Sequence, residues 1–412
     1  MPEKKTVAIV GQGYVGLPLA VACAEVGFSV IGIDLNSQRV KELNAGQSHI
    51  EDIASSKLAA MLADGKYFAS VEFSKVGEAG VVIIAVPTPL DANRQPDLSA
   101  LEGAVRTVAP HLKSGTLLIS ESTSYPGTAR ELVLAIIEEI LGKEASEIDI
   151  ASAPERVDPG NVNYNHRNTP RIVAGLTPKA TKRAAEFYRT FTDNVIEVSS
   201  PEVAEAAKLL ENTFRQVNIA LVNEIAIISH KLGIDVREVI EAADSKPYGF
   251  MKFLPGAGVG GHCIPVDPSY LSWKAKSVGA KARFIDLANE VNLEMPAYVA
   301  GRLMDRLISG GRIKGAVMIL GVAYKSGIGD IRETPADGVA NALEMAGYEV
   351  QWSDPLVSTW RGGESTEPSN DLVGAIVVTA QPGLKIDPYV KLGIPVLDCT
   401  GTFRGIEGVE QL

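Results

Sequence analysis

The chain has 412 residues, of which 46% are hydrophobic and 22% are charged, and its formal net charge at pH 7 is -11. This length exceeds the size at which one hydrophobic core keeps growing, so we expect two or three domains. The negative charge argues against a protein that binds nucleic acids or other polyanions nonspecifically, because such proteins need a basic surface. A small anionic substrate is compatible with it, since a local pocket of basic side chains and backbone N–H groups suffices.

The sequence predicts no membrane segment, targeting signal or metal site. Its apolar runs, such as 81–86 and 317–322, are far shorter than the roughly 20 residues that a membrane helix needs. The cysteines Cys23, Cys263 and Cys399 are odd in number and widely spaced, and the five histidines are scattered. This usage is typical of a reducing compartment and of a protein without structural zinc, so we expect a cytoplasmic protein.

The first half alternates apolar runs with stretches of helix length. The runs 7–10, 29–33, 81–86 and 116–120 are separated by segments long enough for a helix. Continuous apolar runs in this arrangement indicate a parallel sheet covered on both faces, which is a doubly wound α/β fold. We assign residues 1–198 to this Rossmann-like domain.

A long helix is predicted after Val198. Ser200 and Pro201 are typical of a helix start and Gly233 of a helix end, and no strong breaker lies between them. Its apolar positions cover more than one face, which indicates a dimer interface as well as a core. We therefore predict a helical middle domain, which also forms a homodimer, over residues 199–300.

The α/β pattern returns from Gly315, with apolar runs at 317–322, 349–353 and 375–379. The same reasoning predicts a second, smaller doubly wound domain over residues 301–412.

A glycine-rich turn follows the first apolar run and opens a helix. The first glycine allows a tight turn, the second a close approach to a pyrophosphate, and the third close packing of helix on strand. Asp34 ends the next run, where a carboxylate binds ribose hydroxyls and repels a 2'-phosphate. The pattern favours an NAD site over FAD, another adenosine ligand or a plain turn. The turn consists of Gly11, Gln12, Gly13, Tyr14, Val15 and Gly16.

Three further residues extend the predicted cofactor site. Arg39 lies near the edge marked by Asp34, although it is also explained as a solvated helix residue. Pro87 and Thr88 follow the third apolar run, at the carboxyl ends of the strands, where ligands bind in such sheets.

One cysteine stands in an unusual setting, the segment LPGAGVGGHCIPVDP that contains Cys263. So many glycines before a cysteine indicate a backbone that passes close to a ligand and presents N–H groups around the sulfur. Such surroundings lower the pKa of a thiol and make it a nucleophile. Cys23 and Cys399 have no comparable setting, and we interpret them as inert buried residues.

At this segment the sequence resembles the UDP-glucose/GDP-mannose dehydrogenase family, and in particular its UDP-sugar 6-dehydrogenases. The resemblance runs nearly end to end through seven ordered motifs. They are GQGYVGLPLA, VPTPLD, STSYPGTAR, PERVDPGN, EAAKLLENTFRQVNIALVNE, GGHCIPVDP and GVAYKSGIGDIRETP.

The resemblance implies oxidation of a C6 alcohol to a carboxylate with two NAD per sugar. A thiolate at Cys263 would add to the intermediate aldehyde and give a thiohemiacetal, then a thioester that water cleaves. Lys208 and Asn212 stand four residues apart on the predicted helix and so share a face, from which they can donate hydrogen bonds to an oxyanion. A solvated helix face is the alternative for this pair.

Further catalytic roles also come from the resemblance. Asp267 looks like the family's carboxylate that works with the lysine and a water in proton transfer. Glu155 is similar to the acid/base of thioester hydrolysis and Thr123 to the hydroxyl that orients water and lies at the cofactor. A loop carboxylate and a turn residue are the alternatives for the last two.

The resemblance assigns UDP to the C-terminal domain and to the loop from Phe253 to Gly260. Arg332 resembles an arginine that reaches the cofactor pyrophosphate, although a surface salt bridge would also explain it. The substrate contacts implied are Glu155, Arg156, Lys208, Asn212, Tyr248, Phe253, Leu254, Gly260 and Lys325.

The sugar is inferred from resemblance alone. The sequences HCIPVD, KPYGFMKF and ARFIDLANEVN look more like the enzymes for UDP-N-acetylglucosamine or UDP-N-acetylmannosamine than like those for UDP-glucose. Two departures from the family pattern occur, at Gly327–Asp330 and at Asp398–Thr402, and the second puts C-terminal UDP contacts in doubt. The alternatives are a UDP-glucose 6-dehydrogenase, a two-electron 3-hydroxyacid dehydrogenase and a noncatalytic protein that binds NAD or a UDP-sugar.

Overall fold

The computed structural model describes residues 6–50, 53–157, 161 and 163–412. Residues 1–5, and residues 158–160 of the motif PERVDPGN, lie outside the described part. Internal contacts divide the chain into two compact units, the first formed by 1–211 with 273–280 and the second by 212–272 with 281–412. The three predicted domains are not tested by this division and stay a prediction.

The first unit alternates strands and helices as the apolar runs predict. Its elements are β1 (Thr6–Val10), α1 (Gly16–Glu25), β2 (Ser29–Ile33), α2 (Ser37–Asn44), α3 (Ser55–Ala63), β3 (Tyr67–Ser70), β4 (Val81–Ile84), α4 (Ser99–Val108), β5 (Leu117–Ser120), α5 (Ala135–Leu141), β6 (Asp149–Ser152), β7 (Arg171–Gly175), α6 (Pro178–Tyr188) and β8 (Val195–Glu197).

Within the described residues these strands form one eight-stranded sheet in the order β3-β2-β1-β4-β5-β6-β7-β8. β1 pairs in parallel with β2 on one side and with β4 on the other, so the chain order switches at β1. Apolar side chains are buried on both faces of the sheet, in two separate core clusters. The predicted doubly wound α/β fold is confirmed, and the switch point is where such sheets bind ligands.

The sheet departs from the prediction at its last two strands, because β8 pairs in parallel with β7 and both run against the other six. β7 runs antiparallel to β6, with Ala151 opposite Gly175 and Ser152 opposite Ala174. A parallel return needs a crossover, usually a helix, and the described residues between β6 and β7 contain none. The apolar pattern does not distinguish the two directions, because a strand that is buried on both faces has the same composition in either.

A long helix, α7 (Pro201–Leu232), follows β8 and has 32 residues, which confirms the helix predicted between Ser200 and Gly233. The remaining elements are α8 (Val236–Asp244), α9 (Asp267–Ser277), α10 (Arg283–Ser309), β9 (Ala316–Leu320), α11 (Pro335–Met345), β10 (Glu349–Ser353), β11 (Thr359–Trp360), β12 (Gly363–Glu364), β13 (Leu372–Val377), α12 (Asp387–Lys391), β14 (Val396–Asp398) and β15 (Val409–Gln411).

The second unit contains a five-stranded sheet in the order β10-β9-β13-β14-β15, counted over the described residues, and all its pairs are parallel. The second, smaller doubly wound sheet is therefore confirmed. Its apolar core includes side chains of α10 and α11. α10 continues through residue 300, where the sequence predicts a domain boundary. None of the helices that the structure describes is long and apolar enough to cross a membrane.

Candidate active site and cofactor site

The glycine turn between β1 and α1 has no room for a side chain at two of its positions. Gly11 has a φ of +93°, and a Cβ added there would lie 2.3 Å from the Ala85 carbonyl oxygen. A Cβ on Gly16 would lie 1.8 Å from the Gly11 oxygen. No side chain larger than hydrogen fits at either position while α1 keeps its packing on β1.

The middle of the turn is open. A Cβ on Gly13 would meet no protein atom within 4 Å, and α1 begins without a side-chain cap on its first N–H groups. Gln12 is fully buried, and its amide donates to the Ile9 oxygen and accepts from the Tyr67 hydroxyl. Its side chain is therefore part of the protein interior. Open backbone at a helix N-terminus fits the pyrophosphate of NAD.

Asp34 is held firmly at the end of β2. Its carboxylate accepts hydrogen bonds from the backbone N–H groups of Gln12 and Asn36, both at 2.9 Å. Arg39 donates to the same carboxylate at 3.0 Å, so its charge is engaged by Asp34. This arrangement leaves a carboxylate at the edge where a 2'-phosphate would have to lie, which disfavours NADP.

Hydrogen bonds join the segments that follow β4 and β5. The Thr88 hydroxyl donates to the Thr123 carbonyl oxygen at 2.6 Å, and Ser122 Oγ donates to the Val86 oxygen at 2.8 Å. Pro87 is exposed, whereas Thr88 is buried and Thr123 is half-buried. The structure thus brings Thr88 and Thr123, two predicted cofactor residues, to the carboxyl end of the sheet.

Glu155 follows β6 and is held as a carboxylate. One carboxylate oxygen accepts from the backbone N–H groups of Arg156 and Val157, at 2.6 and 2.7 Å, and the other accepts from Arg171 at 2.8 Å. Burial raises the pKa of Glu155, but Arg171, followed by His166 and the two N–H groups, outweighs it, so that this pKa lies well below its usual range. The Arg156 guanidinium itself pairs with Glu211.

The sequence did not single out the partners of Glu155. Arg171, at the start of β7, is only 3% exposed and also lies 3.3 Å from Glu121, which follows β5. The Tyr188 hydroxyl donates to Glu121. Glu121 and Arg171 stand directly beside the apolar runs 117–120 and 172–175. This placement of charged residues is the signal by which the sequence could have identified them.

α7 carries Lys208 and Asn212, which are 9% and 4% exposed. Asn212 donates to the Asp267 carboxylate at 2.5 Å, and the Asp267 N–H donates to the Cys263 carbonyl oxygen at 2.8 Å. The second unit therefore joins the side chains of Asn212 and Asp267, and a backbone hydrogen bond places Cys263 one turn before Asp267. Lys208 stands four residues before Asn212 on the same helix.

Cys263 is exposed, whereas Cys23 and Cys399 are buried in the cores, where burial raises the pKa of each thiol. Two of the four glycines before Cys263 have a packing reason, which the sequence did not predict. A Cβ on Gly260 would lie 2.7 Å from the Glu333 oxygen, and one on Gly261 would lie 2.6 Å from the Tyr324 ring. Here the backbone approaches protein atoms, so glycine is required by packing even without a ligand.

The predicted nucleotide contacts vary in accessibility. Tyr248 and Leu254 are exposed, while Phe253 packs edge-on against Phe214 with ring centroids 5.8 Å apart. Arg332 pairs with Asp330 at 3.0 Å, and Lys325 is half-buried. Among the residues that the structure describes, no three His, Cys, Asp or Glu side chains gather as metal ligands would.

Comparison with known proteins gives a consistent result along the chain. Models of the UDP-glucose/GDP-mannose dehydrogenase family match it with their NAD binding domain at residues 5–192, their central domain at 202–294 and their UDP binding domain at 318–380.

Two curated relatives and one solved structure are similar over most of their length. A UDP-N-acetyl-D-mannosamine dehydrogenase from Pyrococcus horikoshii is 38% identical over 94% of this chain and 92% of its own. A UDP-N-acetyl-D-glucosamine 6-dehydrogenase from Pseudomonas aeruginosa is 38% identical over 85% and 83%. The solved UDP-D-ManNAc dehydrogenase from Pyrococcus horikoshii superposes with a TM-score of 0.90 at 32% identity and covers 98% of both chains.

Proposed function

Because the chain belongs to the UDP-glucose/GDP-mannose dehydrogenase family and is an NAD-dependent dehydrogenase of UDP-sugars, we propose that its substrate carries an N-acetyl group. The expected substrates are UDP-N-acetylglucosamine and UDP-N-acetylmannosamine. The observation that carries this proposal is the 38% identity, over most of the chain, to relatives that bear these two names. The sequence motifs around Cys263 favour the same choice over UDP-glucose.

The proposed reaction removes four electrons from C6. When bound, NAD supplies the acceptor for the hydride that leaves C6 in each of two oxidations. After the first oxidation, the Cys263 thiolate adds to the aldehyde carbon. The second oxidation converts the resulting thiohemiacetal into a thioester. Water then attacks the thioester carbon, the C–S bond breaks, and the products are the sugar carboxylate, the Cys263 thiolate and two protons.

Each proposed role matches the surroundings of its residue. The exposed Cys263 is accessible as a nucleophile. Asn212 presents an amide and Lys208 an ammonium, which are donors for a developing oxyanion. Asp267, fixed by Asn212, is proposed to exchange protons with the lysine and a water.

Glu155 and Thr123 are proposed to act on water. The hydrogen bonds to Glu155 favour its ionised form, which is the form that can accept a proton from the water that cleaves the thioester. Thr123 would orient that water. Arg156, Tyr248, Leu254 and Lys325 are proposed as contacts of the UDP-sugar, with Arg332 proposed as a contact of the cofactor.

Two other functions have less support than the proposed one. A two-electron 3-hydroxyacid dehydrogenase needs no thiol, and a noncatalytic binding protein has no use for an exposed Cys263 near the paired Asp267 and Asn212. A UDP-glucose 6-dehydrogenase would use the same chemistry, so only substrate preference separates it from the proposal.

Incubation with a panel of UDP-sugars tests the proposal. The pure protein, given NAD or NADP, is expected to oxidise UDP-N-acetylglucosamine or UDP-N-acetylmannosamine with NAD and to form two NADH per sugar. UDP-glucose and UDP-galactose serve as the comparison substrates. A higher kcat/KM for UDP-glucose would reject the N-acetylated substrate, and one NADH per sugar would reject the four-electron reaction.

We further propose that the protein is a cytoplasmic homodimer assembled through α7. Large apolar side chains at Leu210, Phe214, Leu221 and Ile228 are 63%, 44%, 53% and 44% exposed. At 100° per residue their spacing places them on one stripe of the helix, which a partner subunit would cover.

Light scattering after size-exclusion chromatography is expected to give twice the chain mass of 43.7 kDa. Leu221→Glu should shift the population to monomer, because it puts a charge in the apolar stripe. Met345→Glu, at a side chain that is 90% exposed on α11, is the matched control and should stay dimeric. A wild-type monomer, or a Leu221→Glu variant that remains dimeric, would rule out this interface.

A further inference from the structure

Arg171 lies between two buried carboxylates, Glu155 and Glu121, and its position bears on the proposed catalytic role of Glu155. Glu155 has no second cation in reach among the described residues. His166 Nδ1 lies 3.5 Å from the Glu155 carboxylate, but it lies 3.3 Å from an Arg171 nitrogen as well. An arginine N–H can only donate, so the contact with Arg171 is a hydrogen bond only where His166 Nδ1 accepts. Burial lowers the pKa of His166, which also favours the neutral ring. The neutral ring leaves Arg171 as the countercharge of Glu155.

Arg171 is itself fixed from several sides. Its guanidinium donates to the Ala153 carbonyl oxygen at 3.3 Å and lies 3.3 Å from Glu121. The guanidinium carbon stands 4.7 Å from the centre of the Tyr188 ring, and the Tyr188 hydroxyl holds Glu121. An arginine that is held by a carboxylate, a carbonyl and an aromatic face has little freedom to move away from Glu155.

The reversed strand explains why these residues meet. β6 and β7 pair antiparallel, with Ser152 opposite Ala174. When this register is continued by three residues, Glu155 comes opposite Arg171. A parallel β7 would begin at the other end of β6 and would leave Glu155 unpaired.

The two carboxylates do not share Arg171 equally. Glu155 accepts at 2.8 Å, whereas Glu121 lies at 3.3 Å and its nearer oxygen makes no hydrogen bond within the described residues. Burial raises the pKa of Glu121 to about 7, which Arg171 only partly offsets. Arg171 therefore donates its shorter contact to Glu155, while Glu121 attracts and braces the same guanidinium. The buried thiol of Cys23 faces the same cluster.

We infer that Arg171, held in place by Glu121 and Tyr188, is a positioning residue. It keeps Glu155 ionised and oriented, so that Glu155 serves as the base of thioester hydrolysis. This inference rests on the proposed role of Glu155. In the step concerned, water forms a bond to the thioester carbon, one proton of that water passes to Glu155, and the C–S bond breaks to release the Cys263 thiolate. The second proton is lost from the carboxylic acid product to solvent.

The test compares pH profiles of arginine variants. In Arg171→Met, Glu155 remains buried without its cation, so its pKa rises and it is protonated near neutrality. We expect kcat at pH 7 to fall about 100-fold, the loss typical of a removed general base. The acid-side midpoint of kcat should rise by at least about one pH unit, and activity should recover as pH increases. A purely structural defect would lower kcat equally at every pH.

A covalent readout accompanies the kinetics. Enzyme quenched during turnover with the best UDP-sugar of the panel and NAD should carry the acyl adduct on Cys263 in Arg171→Met, because hydrolysis is slowed. Arg106→Met is the matched control, since Arg106 also bridges two glutamates, Glu102 and Glu139, but at an exposed site of the same unit. It should keep the wild-type profile and show no extra adduct.

A second variant keeps the test decisive if Arg171→Met does not fold by circular dichroism. Arg171→Lys retains a charge but cannot reach Glu155 and Glu121 together, so the acid-side midpoint should rise by less than in Arg171→Met, with partial adduct. An unchanged midpoint in a folded Arg171 variant overturns the inference.

The variant Glu155→Gln distinguishes a failure of the inference about Arg171 from a failure of the proposed function. Adduct trapped in Glu155→Gln, together with an unchanged profile in the Arg171 variants, rejects only the role of Arg171. No adduct on Cys263 in Glu155→Gln rejects the proposed role of Glu155 in thioester hydrolysis, and the inference with it.

Discussion

Replacing Cys263 by alanine is expected to abolish formation of the sugar carboxylate. The thiolate is the only proposed group that converts the aldehyde into a species whose oxidation gives an acyl enzyme, so acid production should fall by at least about 10³-fold. NAD binding should be unchanged, because Cys263 is not among the predicted cofactor residues. The measurement is product analysis after incubation with NAD and the preferred UDP-sugar, together with NADH counted per sugar.

Two other variants define the step that is lost. Cys263→Ser should stall after the first oxidation or trap an ester, since an alkoxide is a poorer leaving group than a thiolate. Cys399→Ala is the matched control at a buried cysteine and should retain the chemistry, with a cost in stability from the cavity that it leaves. Full acid production by Cys263→Ala would contradict the covalent route.

The second large effect is expected from Gly16→Ala. The added Cβ would lie 1.8 Å from the Gly11 oxygen, so α1 has to move away from β1 by more than 1 Å. Overpacking of this kind costs about 1–3 kcal/mol of stability, and displacement of the helix N-terminus should weaken NAD binding by about 100-fold. Thermal unfolding and NAD titration measure the two losses separately.

Two glycines provide controls for this prediction. Gly13→Ala adds a Cβ that meets no protein atom within 4 Å, so it should weaken NAD binding without a comparable loss of stability. Gly103→Ala, in α4 and equally open, should leave NAD binding intact and raise stability by about 0.5–1 kcal/mol. Normal NAD affinity in Gly16→Ala would mean that this turn does not hold the cofactor.

The sequence by itself determined the features that depend on neighbouring residues. The apolar run of β1, the glycine turn and α1 are contiguous, and the start and stop signals of α7 lie at its own ends. Such patterns are local, because strand burial and helix termination depend on residues within a few positions. The segment of Cys263 also stood out locally. The sequence explained its glycines by a ligand, which stays a prediction, and the structure adds that Gly260 and Gly261 are required by packing against Glu333 and Tyr324.

The tertiary structure alone decided the pairings between distant residues. Asn212 meets Asp267 at a separation of 55 residues, and Arg171 meets Glu155 because β7 runs against β6. A buried strand has the same apolar composition in either direction, so its pattern does not encode which neighbour it joins or which way it runs. The countercharge of Glu155 follows from that direction, and only the folded chain shows it.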